Sequence, residues 1–299
     1  MKEILRAIEK NYLKRGNPLG VKLDYTWAEK EKIPRIQDTI LFTGLSYQLM
    51  PYTTSILDLM EKAGDKVDKV AFFSRFGFPK LPFILKKGSK HFYDALVAAS
   101  RLLKKHGIEF GFLYEDEPYD GALFYEYGMD WLVDKNEKRI RDVFEKRNVK
   151  EVITISPHSY LMLKLVYDVD VEVKHILELV EVSKVKEDFA LHEPCILLRK
   201  TNFGEKLRNS GAVLPEKNGR LTSCCGGPVE LVYPELTAMI CMRRAKELEE
   251  VFRSKRSSKF RIMTACPICL MNFLRCGFDA EDYLSVIART MWESGKGSE

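Results

Sequence analysis

All seven cysteines of this chain lie between Cys195 and Cys276, and the 194 residues before them contain none. Five fall into a compact pattern: Cys195, then 28 residues, Cys224-Cys225, then 40 residues, Cys266-Pro267-Ile268-Cys269. The asymmetry confines any thiolate site to one half of a larger fold. The other half has to be explained without thiols.

The surrounding composition narrows the setting. With 299 residues and 45% hydrophobic content the chain is long enough for one large domain or two ordinary ones, each with a real core. The 30% charged content argues against an integral membrane protein. No uncharged apolar run reaches the roughly 18 residues a membrane span needs, so no transmembrane segment is expected. The opening MKEILRAIEKNYLKRG lacks the apolar core and cleavage site of a secretory signal. The chain therefore reads as cytoplasmic, within a larger complex or free of one. There thiols stay reduced, and a cysteine cluster binds metal or reacts. The net charge of +5 is spread among many acids, with no basic stripe or zinc-finger spacing, so no nucleic-acid partner is expected.

Apolar periodicity alternates along the chain. A short helix is expected at Ile4–Leu13, followed by an irregular stretch with Asn17, Pro18 and Trp27, together an N-terminal arm or linker over 1–38. Strands are expected at Thr39–Gly44, IEFGFLYED (108–116), Glu151–Ser156, FALHEPC (189–195) and RIMTA (261–265). Between them come helices near Ser55–Ala63, Phe92–His106, Asn136–Arg147 and Val173–Val182, one after Asn202, one over Glu230–Arg253, and helices to the end. Strands separated by helices argue for an α/β fold of parallel layers.

An internal repeat divides this body into two similar Rossmann-like α/β halves with parallel sheets, over 39–185 and 186–299. LFTGL (41–45), EPYDGA (117–122) and TISPHS (154–159) parallel LHEPC (191–195), SCCGGP (223–228) and TACPIC (264–269). Gly121 matches Gly226 and Pro157 matches Pro267. Leu45, Tyr119, Asp120, Ser156 and Ser159 stand where the second half has its five cysteines.

Each piece of the cysteine pattern has a physical rationale. A Cys-x-x-Cys at a strand end turns both sulfurs toward one point, and the following helix N-terminus favours thiolate. Pro267 suits the first turn of that helix. Gly226 and Gly227 permit unusual backbone angles and close approach to a bulky group. Adjacent Cys224 and Cys225 point apart, so they can reach different irons of one cluster. Five thiolates exceed the four that zinc or a regular cubane cluster requires. Zinc and a metal-free dithiol, with Cys266 and Cys269 cycling as a disulfide, stay open as alternatives. Cys241, on a helix, and Cys276, before Gly277, read as small packing residues.

These motifs resemble the cysteine-rich CCG domain family, which includes a heterodisulfide reductase subunit and the iron–sulfur subunits of glycolate, lactate and glycerol-3-phosphate oxidoreductases. His192-Glu193-Pro194-Cys195 is similar to that family's His-Asp-Pro-Cys, Cys224-Cys225-Gly226 to its Cys-Cys-Gly, and Cys266-Pro267-Ile268-Cys269 to its closing pair. Val173–Leu179 looks like the family's lead-in helix. The resemblance implies that Cys195, Cys224, Cys225, Cys266 and Cys269 hold one [4Fe–4S] cluster of the non-cubane kind, with no cluster in the degenerate first copy. It implies an iron–sulfur oxidoreductase subunit, similar to that of heterodisulfide reductase, that reduces a disulfide or exchanges electrons with a ferredoxin-like or flavoprotein partner. A non-catalytic relay or assembly subunit is the alternative. Such a redox partner has a docking candidate in the Phe- and Lys-rich stretch Phe72–Lys90.

His192 and His175 are candidates for proton transfer or for contacts behind the ligands. His158, in the thiol-free half, reads as a structural residue or as one facing a cleft between the halves. Glu117 and Asp120 read as a solvated loop or a carboxylate patch.

Overall fold

The computed structural model describes residues 2–35, 37–63 and 88–295. Most of the Phe72–Lys90 stretch lies outside the described residues. The fold is mixed α/β with two parallel three-stranded sheets. The first contains β1 (Thr39–Phe42), β2 (Glu151–Thr154) and β3 (Glu172–His175), in the order β1-β2-β3. The second contains β4 (Ala190–His192), β5 (Ile262–Thr264) and β6 (Ala280–Asp282), in the order β4-β5-β6. Short apolar runs such as Val152-Ile153 and Ile262-Met263 are fully buried, as strands covered on both faces require.

The two sheets repeat one another in register. Ile40 pairs with Val152 and Val152 with Val173, while Ala190 pairs with Ile262 and Ile262 with Ala280. On the outer side of each first strand sits one further parallel bridge, Ile40 to Gly111 and Ala190 to Val213. Their hydrogen bonds match: Leu41 N donates to Gly111 O and Gly111 N to Thr39 O, as Leu191 N donates to Val213 O and Val213 N to Phe189 O. Counting outward from these pairs puts Leu45 opposite Cys195, Ser156 opposite Cys266 and Ser159 opposite Cys269.

Several elements depart from the pattern read in the sequence. Residues 108–116 contribute only the bridge at Gly111. Phe112 N then turns to Pro34 O at 2.9 Å, and the chain enters a 3₁₀ turn at Tyr114–Asp116. Val173–Val182 is not a helix. Its first residues form β3, and a single turn, Ile176–Leu179, follows. Val173 is buried against Val152, so tertiary pairing overrides a weak helical signal. The segment after Asn202 is a 3₁₀ run, Gly204–Ser210. The long helix is Pro234–Lys255, with Pro234 in its first turn. The helix expected near Ser55 begins at Ser46 and carries Pro51 inside it. The short strand β6 adds to the expected set.

The helix Ser89–Lys105 buries Phe92, Ala95, Leu96, Ala99, Leu102 and Leu103 along one stripe. Gly107, at φ +71°, ends it. It packs on the helices Ser46–Ala63 and Tyr283–Gly295, one from each half of the chain, so a continuous core joins both sheets. The leading helix Lys2–Arg15 is packed into the same core. Tyr12 is buried and donates to Asn136 Oδ1 at 2.8 Å, and Trp27 is buried against Phe112.

Candidate functional site

The site assembles where the strands of the second sheet end. After β4, Glu193-Pro194 leads to Cys195 at the start of the helix Cys195–Lys200. After β5, Cys266 is the N-cap of the helix Pro267–Arg275 and Cys269 lies in its first turn. Both sulfurs thus sit at the positive end of a helix, which favours thiolate. Cys224 and Cys225 arrive on a loop closed by glycines. Gly226 has φ +95°, and a Cβ there would lie 2.7 Å from Thr237 O. A Cβ on Gly227 would lie 2.2 Å from Ile268 Cγ2. The Gly-Gly pair is therefore required for the loop to seat against the helices Pro234–Lys255 and Pro267–Arg275.

The five thiols form one contact chain. Cys195 hydrogen-bonds Cys224, Cys224 bonds Cys225, Cys225 bonds Cys269 and Cys269 bonds Cys266. All five line one cavity of about 260 Å³, together with His158, Arg199 and Pro228. Cys225, Cys266 and Cys269 are buried, whereas Cys195 and Cys224 are partly exposed, so the cavity opens on their side. Charge divides unevenly along the chain. Hydrogen bonds from Cys195 and Cys225 hold Cys224 well below the usual thiol range. Cys266 is also lowered: burial opposes this, but hydrogen bonds from Cys269 and His158 prevail. Cys195, Cys225 and Cys269 are raised, each chiefly by its hydrogen bond to a neighbouring thiol. Five soft donors at one point, two of them poised as thiolates, suit a thiophilic metal or an iron–sulfur cluster.

His192 reaches this group. An imidazole nitrogen lies within 4.8 Å of the Cys225 and Cys269 sulfurs, a trio able to hold a metal ion. Its Nδ1 accepts a hydrogen bond from Arg244 Nε at 3.2 Å. Burial, with the Arg244 charge, lowers it to about 3, so the ring is neutral. A neutral imidazole accepting at Nδ1 carries its proton on Nε2. That Nε2 is buried and has no partner among the described residues. In this tautomer it is a donor lacking an acceptor, and it would ligate a metal only after losing that proton. The ring does not line the cavity itself, but it stands beside the Cys225 and Cys269 sulfurs, and such an orphan fits sulfur acceptors there.

Arg244 joins the site without having stood out in the sequence. It is 1% exposed, and it also donates to Glu247 at 2.8 Å and to Thr222 Oγ1 at 3.3 Å. A signal is present: Cys241, Ala245, Leu248 and Phe252 form the buried stripe of its helix, and Arg244 lies on it. Asn272, equally inconspicuous in the sequence, donates to Cys225 O at 3.4 Å and approaches its sulfur at 3.8 Å.

His175 is placed differently from its expected role. It caps the turn Ile176–Leu179, accepting from Leu177 N at 3.2 Å, and stacks on Phe203. It does not line the cavity. Glu117 and Asp120 are not a solvated loop. Both are buried. Glu117 accepts from Thr43 N and Thr43 Oγ1, and Asp120 accepts from Ser159 Oγ. Cys241 and Cys276 hydrogen-bond each other away from the cavity, on the helix Pro234–Lys255 and at the far end of the helix Pro267–Arg275. Among the described residues, no helix is long and apolar enough to cross a membrane.

Residues 189–274 match the cysteine-rich domain family CCG, spanning Cys195, Cys224, Cys225, Cys266 and Cys269. Over 196 residues (58% of this chain) it is 26% identical to the probable iron-sulfur-binding oxidoreductase FadF of Bacillus subtilis, covering 27% of that protein. It is 28% identical over 207 residues to the EtfAB:quinone oxidoreductase of Syntrophomonas wolfei, covering 59% of this chain and 28% of the relative. It is 24% identical over 228 residues to one polypeptide of the dihydromethanophenazine:CoB–CoM heterodisulfide reductase of Methanosarcina barkeri, covering 65% of this chain and 54% of that polypeptide. The chain thus spans at most about half the length of these curated relatives, to which it is distantly related.

Proposed function

We propose that this chain, whose residues 189–274 form a cysteine-rich CCG domain, is an iron–sulfur oxidoreductase subunit holding one [4Fe–4S] cluster. Its ligands are Cys195, Cys224, Cys225, Cys266 and Cys269, and a ferredoxin-like or flavoprotein subunit is its redox partner. The observation that carries this reading is the convergence of five thiols on one 260 Å³ cavity, beside an unpartnered donor on His192. When bound, the cluster supplies electrons and Lewis-acidic iron.

The protein's own residues shape what reaches it. Cys225, Cys266 and Cys269 form the buried floor, and Cys195 and Cys224 form the partly exposed rim. Arg199 borders the opening, held by Thr222 O at 2.9 Å. Its guanidinium favours an anionic acceptor at the rim. With Arg199 and Glu126 both on the lining, an anionic disulfide seated on the Arg199 side is the acceptor this reading assigns, and its reduction to two thiols takes two electrons from the partner and two protons. The open rim favours this catalytic reading over a buried relay.

The test is metal analysis after anaerobic purification. About four irons and matching acid-labile sulfide per chain are expected. Stoichiometric zinc with little iron would overturn the reading.

A further inference from the structure

The thiol-free half reaches into the site. His158 lies on the turn Pro157–Leu161, which follows β2 as the Cys-bearing helix follows β5. The register of the repeat puts His158 opposite Ile268. Both residues border the 260 Å³ cavity and also a second cavity of about 40 Å³ between the halves, walled by Asp120 and Glu230. Each half thus presents the same position to the other, but one side chain is apolar and the other is an imidazole. His158 is buried, and its Nδ1 lies 3.8 Å from Cys266 Sγ.

We propose that His158 is a positioning residue that donates a hydrogen bond from Nδ1 to the Cys266 sulfur and thereby raises the reduction potential of the bound cluster. The proposal rests on the cluster reading above. A ligand thiolate has lone pairs and no proton, so the nitrogen facing it must be the donor. Withdrawing charge from a ligand sulfur favours the more negative, reduced cluster. The half that has no thiols therefore contributes by tuning a cluster that it does not ligate.

The experiment compares wild type, His158→Leu and His158→Gln, purified anaerobically. Iron and sulfide are measured first, then the midpoint potential by redox titration followed by EPR. Full iron in all three is expected, with a midpoint lower by about 59 mV or more in His158→Leu, a tenfold change in a one-electron equilibrium. His158→Gln, which keeps a donor, should recover most of the shift. Full iron with an unmoved midpoint overturns the proposal while leaving the cluster reading intact. Zinc in the wild type overturns both. Should the leucine variant fail to fold, pulsed EPR of ¹⁵N-histidine protein carries the test. A weak ¹⁵N coupling lost in His158→Gln supports the proposal, and a spectrum unchanged by that substitution sinks it.

Discussion

Ser159 Oγ donates to Asp120 Oδ2 at 2.7 Å, and the pair stands where the other half sets Cys269 against Cys225. Gly121 and Gly226, both at positive φ, follow Asp120 and Cys225 and fix the correspondence. Ala122 N also donates to Asp120, at 3.1 Å. A Cβ on Gly44 would lie 2.5 Å from Ser159 Oγ and 2.6 Å from Asp120 Cβ, so the loop closes directly onto the pair. A polar contact has filled the space that the second half keeps for its thiols.

The two classes of cysteine should separate cleanly. Cys225→Ser and Cys266→Ser should each lose most of the iron and the visible absorbance. Cys241→Ser and Cys276→Ser should keep both, because their sulfurs face each other outside the cavity. Iron and sulfide per chain, measured anaerobically, check this. Loss in the second pair would mean that the ligand set is misassigned.

Gly227→Ala tests the seat of the loop. Its φ is not positive, so the backbone accepts alanine, but the new methyl would meet Ile268 Cγ2 at 2.2 Å. Ile268 is β-branched and stiff. A cost of about 1–3 kcal/mol and reduced cluster occupancy are expected. The double variant Gly227→Ala/Ile268→Ala should regain occupancy, as read by the iron-to-protein ratio.

Arg244→Leu removes three donors at once, leaves His192 Nδ1 without its partner and strips Thr222 Oγ1 of one of two bonds, the one to Glu193 O remaining. About 2–3 kcal/mol of stability should be lost, read as a lower denaturant midpoint. The freed Nδ1 also lets His192 exchange tautomers, so its ¹⁵N shifts should change from those of a fixed Nε2–H form. Unchanged shifts would count against the role assigned to Arg244.

The contribution of Glu117 to stability should fall as pH rises from about 4.5 to 8. Burial raises Glu117 to about 8, despite hydrogen bonds from Thr43 and Gly44. A carboxyl raised on folding binds more protons folded than unfolded. Its contribution is therefore full below its unfolded value near 4.5 and is lost as pH passes the folded value. Glu117→Gln should flatten this slope in thermal melts between about pH 5 and 8. An equal slope in both proteins would exclude Glu117 as its source.

Much of this molecule is legible in one dimension because its signals are local. The pairings of Leu45 with Cys195 and Ser159 with Cys269 follow from motif spacing, and the sheet registers repeat them. The stripe from Phe92 to Leu103 announces its helix through its own period. The 173–182 segment departs from its helical expectation because Val173 and His175 obey a pairing with β2 that no short window contains. Residues 108–116 fail as a strand for a similar reason, since Pro34 takes the Phe112 amide.

By itself the sequence determined the thiol pattern, the glycines that let it close and the repeat that leaves one half without thiols. These depend on spacing, backbone freedom and residue type, which covalent order carries. Only the tertiary structure decided that His158 meets Cys266 across 108 residues and that Arg244 holds the His192 tautomer. Parallel strands need long crossovers, so the groups at their ends become neighbours only when the two sheets pack around one core.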